Sequence, residues 1–167
     1  MADVQHERIH RGGKAAAPMR GTLLVASGGR FRLTYTNPAG TAVVSDGRTV
    51  RAIPSRNGTV FSEAVSNSPF VAILSALFRP APTPAHTLQG RIVGRSASWT
   101  VVEFTPVSPT VLARRIAVTF GDTCPLVRRI LLEDGAGNFV RLTFTNPRTV
   151  PLPADAFSLP DATVVSP

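Results

Sequence analysis

The chain has 167 residues, of which 43% are apolar, with fifteen prolines, thirteen glycines and a formal net charge of +8. The apolar fraction excludes a disordered tail, the proline and glycine content argues against a helical bundle, and no apolar run is long enough for a membrane-spanning helix. The charge comes from seventeen arginines and one lysine, scattered mostly one at a time; only Arg114-Arg115 and Arg128-Arg129 are adjacent, so no nucleic-acid partner is expected. Cys124 is alone, so no internal disulfide is possible, and Met1 to Arg11 is too polar to read as a signal peptide.

Residues 1–19 are weakly patterned and read as an N-terminal arm or loop. Val4 to His10 fits either a strand with Val4 outside the alternation or an unpaired arm. His6 and His10 are four apart, but no third ligand accompanies them and no metal site is expected. Residues 20–26 form the first clear strand, and Ser27-Gly28-Gly29 turns it into a second over 30–36. There Phe31, Leu33 and Tyr35 alternate with Arg32, Thr34 and Thr36, the period of a half-buried strand. Asn37-Pro38-Ala39-Gly40 ends it. Two further strands flank Ser45-Asp46-Gly47, where Asp-Gly supplies the positive φ that a tight hairpin favours. Pro54 to Gly58 is another turn, and Thr59 to Ser62 returns as a strand, giving about five strands in a meander over 20–62.

At Ser66-Asn67-Ser68-Pro69 the pattern changes. Asn67 or Ser68 can cap a helix and Pro69 suits its first position. Phe70, Ile73, Leu74 and Leu77 share one face at spacings of three and four, and Pro80, Pro82 and Pro84 stop the helix. Residues 88–94, 98–105, 112–121, 126–134 and 138–145 read as five more strands, with a hairpin loop over Glu133 to Asn138. Pro151 to Pro160 is a proline-studded tail anchored by Phe157. Arg32-Leu-Thr-Tyr-Thr-Asn-Pro38 is nearly repeated as Arg141-Leu-Thr-Phe-Thr-Asn-Pro147, which we read as two similar strands under similar demands.

The chemistry of common enzymes is missing. There is no Gly-x-Ser-x-Gly elbow and no Gly-rich phosphate loop with lysine; Gly135-Ala136-Gly137 lies in a hairpin. His86 sits in the Pro-rich loop without marked Ser and Asp partners. Glu133 and Asp134 are neighbours suited to a turn, and Cys124 before Pro125 suits an inert role. No enzyme and no cofactor is therefore expected. What remains is a sheet of about ten strands with a large apolar face and one short helix to cover it. Such a fold either buries more helix or holds an apolar ligand.

Over residues 20–78 and 99–160 the sequence resembles the periplasmic lipoprotein carrier family, the LolA-like proteins. The resemblance rests on Gly29-Arg30-Phe31-Arg32-Leu33-Thr34-Tyr35-Thr36-Asn37-Pro38, on the hairpin Val44-Ser45-Asp46-Gly47-Arg48-Thr49, and on the helix opening Asn67-Ser68-Pro69-Phe70. Phe104-Thr105-Pro106 and Leu152-Pro153-Ala154-Asp155-Ala156-Phe157 match in kind. The resemblance implies a mainly β (α+β) fold: a curved antiparallel sheet of about ten strands forming an incomplete half-barrel over 20–160, with one short helix across its concave face and a short tail over 161–167.

It further implies a periplasmic carrier or chaperone that shields the acyl chains of lipoproteins, or of a related lipid, between the inner and outer membranes. An inner-membrane transporter would be the donor and an outer-membrane receptor the acceptor, with the carrier a monomer. The expected apolar cavity is lined by Leu23, Phe31, Leu33, Tyr35, Val44, Val102, Phe104, Val118, Val140, Leu142 and Phe144, with Phe70, Ile73, Leu74 and Leu77 as cover. Three departures stand against the family pattern. The first amphipathic helix is largely absent, Ser27 stands where an arginine commonly ties down the lid, and Arg51 stands where an aromatic is common. The missing signal peptide and first helix together point to a longer N-terminus than the one given. A small LolA-like enzyme acting on an apolar substrate, or a basic module for an anionic partner, are the alternatives.

Overall fold

The computed structural model describes residues 1–53, 60–64, 88–106, 114–121, 127–158 and 164–165. The expected helix with Phe70, Ile73, Leu74 and Leu77 lies outside them, as do His86 and Cys124. The described residues form twelve strands. The fold class is as expected: mainly β, with β2 to β6 and β7 to β11 each pairing antiparallel and β12 running parallel to β6. The chain separates into two compact units.

The first unit comprises residues 1–3, 19–83 and 148–167. Its strands are β2 (Met19–Ala26), β3 (Arg30–Asn37), β4 (Ala39–Asp46), β5 (Thr49–Ile53), β6 (Val60–Ala64) and β12 (Val164–Val165), neighbours in the order β12-β6-β5-β4-β3-β2. The hairpin between β4 and β5 forms as its residues dictate. Gly47 sits at φ +94, where an added Cβ would strike the carbonyl of Gly28. The Asp46 carboxylate accepts the N–H groups of Arg48 and Thr49, both at 2.8 Å. Partial burial works against its charge, yet those two bonds and the nearby Arg51 and Arg48 hold its pKa below the usual range. Ser45, fully buried, donates to the Gly29 carbonyl at 3.2 Å and accepts the Gly47 N–H at 3.1 Å.

The second unit comprises residues 4–18 and 84–147. Most of β1 (Ala2–Ile9) belongs to it, with β7 (Leu88–Arg95), β8 (Trp99–Pro106), β9 (Arg115–Gly121), β10 (Val127–Glu133) and β11 (Phe139–Thr145), in the order β1-β11-β10-β9-β8-β7. The β10–β11 turn is built on Asp134, which accepts from the N–H groups of Ala136 and Asn138 and from the Asn138 side chain. Those bonds, the Asn138 side chain foremost, lower its pKa.

β1 corrects the reading of the N-terminus as a loosely patterned arm. Ala2–Ile9 is a strand, and Val4 lies inside its alternation: Val4 and His6 are buried while Asp3, Gln5 and Glu7 beside them are only half-buried. Its polar sequence extends because it lies beside β11, where the Arg141 guanidinium reaches Glu7 at 2.7 Å. That bond holds the Glu7 carboxyl below its ordinary pKa. His6, stripped of solvating water and repelled by Arg8, is lowered to a pKa of about 4 and is neutral at pH 7.

Candidate functional site

Strand pairing decides which side chains share a face, because directly opposite residues point the same way. In the first unit Leu23 faces Leu33, Val25 faces Phe31, and Gly21 faces Tyr35. Gly21 is required there: an added Cβ would run into the backbone of Thr34 and Tyr35. Leu23, Phe31, Leu33 and Tyr35 are 1–6% exposed and form one apolar face, extended through Ser45 to Val50.

Val44 is not part of that face. It pairs with Arg32 on one side and Arg51 on the other, which places it on the opposite side of the sheet. It is nevertheless 2% exposed. The C-terminal tail covers this side: Val44, Asp46, Thr49, Arg51 and Phe157 share one small crevice. The Arg32 guanidinium donates to the carbonyls of Ala156 at 3.3 Å and Ser158 at 3.1 Å, and the Arg30 guanidinium stands 5.4 Å above the Phe157 ring.

In the second unit the pairing produces two uninterrupted apolar rows. Leu142 faces Ile130, Ile130 faces Val118, Val118 faces Val102 and Val102 faces Ile92. Beside it, Val140, Leu132, Ile116 and Phe104 follow one another in the same way. The next residue after Phe104 is Gly90, over which the Phe104 ring leans: a Cβ at Gly90 would come within 3.0 Å of it. Val102, Phe104, Val118, Val140 and Leu142 are thus brought together. Ile116, Ile130 and Leu132 belong with them and were not among the expected wall; the alternation of Ile116 with Val118, and of Ile130 with Leu132, was the signal for them.

The first row is graded. Leu142, Ile130 and Val118 are at most 1% exposed, Val102 is half-buried, and Ile92 on the edge strand β7 is 56% exposed. Five strands at the usual spacing make a strip of roughly 19 Å. Phe144 continues the alternation beyond Leu142 but is half-buried, and it borders a cavity of about 530 Å³ together with residues of the other face.

That other face is polar. Glu103 pairs with Arg91 at 3.0 Å and with Arg115 at 3.5 Å, and Arg115 reaches Glu133 at 3.1 Å. Among the described residues no three His, Cys, Asp or Glu side chains converge as metal ligands. His6 is buried in β1, whereas His10 is exposed beyond its end.

The model of the family described as "Outer membrane lipoprotein carrier protein LolA" matches residues 4–160. Two solved structures share the fold. One is an uncharacterized conserved protein from Thermus thermophilus, similar at TM-score 0.61 and 12% identity over 99% of this chain and 88% of that one. The other is a LolA superfamily protein from Nitrosomonas europaea, at TM-score 0.53 and 12% identity over 95% and 89%. No curated protein matches the sequence.

Proposed function

The chain belongs to the outer membrane lipoprotein carrier (LolA) family, and from that premise we propose that it carries the acyl chains of a lipoprotein, or of a related lipid, across the periplasm without catalysis. An inner-membrane transporter would load it and an outer-membrane receptor would unload it. The observation that carries this reading is the graded row from Leu142 to Ile92. Apolar side chains sealed at one end and open to water at the other suit a ligand that is long, thin and featureless.

The energetics agree. Each buried CH₂ contributes about 0.8 kcal/mol, so one long acyl chain yields about 10 kcal/mol before ordering costs. Contacts of this kind are indifferent to exact shape and hold cargo without hydrogen bonds that a receptor would have to break. The screening of Val118, Ile130 and Leu142 by the chain itself keeps a greasy strip from aggregating, so cargo exchanges one set of apolar contacts for another.

Incubating the protein with vesicles that hold a triacylated lipoprotein tests the reading. Cargo should appear in the soluble fraction bound to the protein. Ile92→Asp, at an exposed position that bears little on folding, should cut that fraction at least fivefold with the thermal midpoint unchanged. If no acylated cargo leaves the vesicles under any loading condition, the carrier reading fails.

A further inference from the structure

The cavity on the polar face of the second unit carries an inference of its own, independent of the acyl-chain strip. It is lined by Trp99, Val101, Thr119, Arg128, Arg129, Thr143, Phe144 and Thr145. Val101, Thr119, Arg129 and Thr143 are successive cross-strand partners and form its floor. Arg128 and Arg129 are neighbours on one strand, so regular alternation would send them to opposite faces. They share the cavity because the β9–β10 register slips between Val127 and Arg129, leaving Arg128 as the extra residue of a bulge. Gly121 opens the room for it. A Cβ there would stand 2.6 Å from the Arg128 Nε and 3.3 Å from its Nη2.

Among the described residues of this unit the carboxylates are already engaged elsewhere. Glu103 and Glu133 hold Arg91 and Arg115, Glu7 holds Arg141, and Asp134 is taken up by its own turn. Glu7 feels the charge of Arg129, but its bond is to Arg141. Among the described residues neither Arg128 nor Arg129 makes an ion pair. Two exposed guanidinium forks that make no ion pair among the described residues and three threonine hydroxyls therefore line one cavity beside a tryptophan that is 37% exposed.

We propose that this cavity binds a phosphate ester whose remaining part is flat or apolar. Two planar forks with hydroxyl donors present more hydrogen bonds than the two oxygens of a carboxylate use, and they match the several oxygens of a phosphate. The volume is that of a small-molecule pocket and well beyond what a bare phosphate fills. Trp99 and Phe144 offer apolar surface for the rest of the ligand. The ester can come from a soluble metabolite-sized molecule or from an anionic lipid headgroup, and both present the same group to Arg128 and Arg129.

Trp99 is the single tryptophan of the chain, so its fluorescence reports this cavity alone. The full chain is titrated with phenyl phosphate and, separately, with phosphatidylglycerol vesicles and phosphatidylcholine vesicles. A saturable change with phenyl phosphate supports a soluble ester; one confined to phosphatidylglycerol supports a headgroup. In either case R128Q/R129Q should bind at least tenfold more weakly with an unchanged far-ultraviolet circular dichroism spectrum. Gly121→Ala, which keeps both charges but displaces Arg128, should weaken binding severalfold and decides the matter should the double variant not fold. The proposal is overturned by no saturable change with any anionic probe, by a response to phosphatidylglycerol vesicles that phosphatidylcholine vesicles match when phenyl phosphate gives none, or by affinities that these substitutions leave unaltered.

Discussion

Two nearly identical heptapeptides sit in the two units, and their fates differ. Arg32 to Pro38 forms most of β3 and Arg141 to Pro147 most of β11. The second residue of each is core: Leu33 is 2% exposed and Leu142 is 1%. The fourth is not equivalent. Tyr35 is 6% exposed against Gly21, whereas Phe144 is half-buried at the rim of an open cavity. The arginines diverge too, since Arg32 holds the C-terminal tail by two carbonyls and Arg141 holds Glu7 of β1. The same side chains at the same spacing take their roles from what packs against them.

Substitutions at matched positions break or sharpen that contrast. Tyr35→Ala should cost about 4 kcal/mol and Phe144→Ala only about 1.5 kcal/mol, since a half-buried ring loses less contact; equal shifts in the urea midpoint would erase the distinction. Leu33→Ala and Leu142→Ala should each cost about 3 kcal/mol, the one pair in which the echo is a true equivalence.

His6, in the second unit, adds a pH dependence. Its pKa falls from 6.5 to about 4 on folding, so the native state refuses a proton that the unfolded chain accepts. Stability is therefore full above about pH 6.5 and declines as pH falls towards 4, by up to about 3 kcal/mol. Urea midpoints at pH 7.5, 5.5 and 4.5 should show this slope, and His6→Gln should flatten it. The carboxylate of Glu7, held below its ordinary value, adds its own loss only as pH falls below about 4.5.

The smallest effects separate the two arginines. Arg32→Ala should cost about 1 kcal/mol and expose the tail to limited proteolysis near Pro151, because two charge-assisted bonds are lost. Arg141→Ala should cost about 0.5 kcal/mol, as expected for a partly solvated ion pair, and leave the tail protected. Cleavage at the same rate in both would remove the special role of Arg32.

Much of this was legible in the amino-acid order. Alternation located β2 to β4 and β7 to β11 to within a few residues, and Asp46-Gly47 and Asp134 marked their turns because those side chains bond their own backbone. The faces were harder. Val43 and Val44 are the same residue type in sequence, and a shift of one position sends a side chain to the other side of the sheet. The tail then buries Val44 as deeply as a core valine, so burial alone would not have revealed the difference. β1 was obscure because Gln5, His6, Glu7 and Arg8 carry no apolar rhythm; their extended form comes from the strand beside them.

The sequence by itself determined most of the strands, their turns and the family, because period-two patterning and turn chemistry are properties of a few consecutive residues. Only the tertiary structure decided which valine faces which side, that Arg128 and Arg129 open into one cavity, and that an apolar row leads from Leu142 to the edge at Ile92. Those facts depend on register between strands distant in the chain, and register is settled by the packing of the whole sheet.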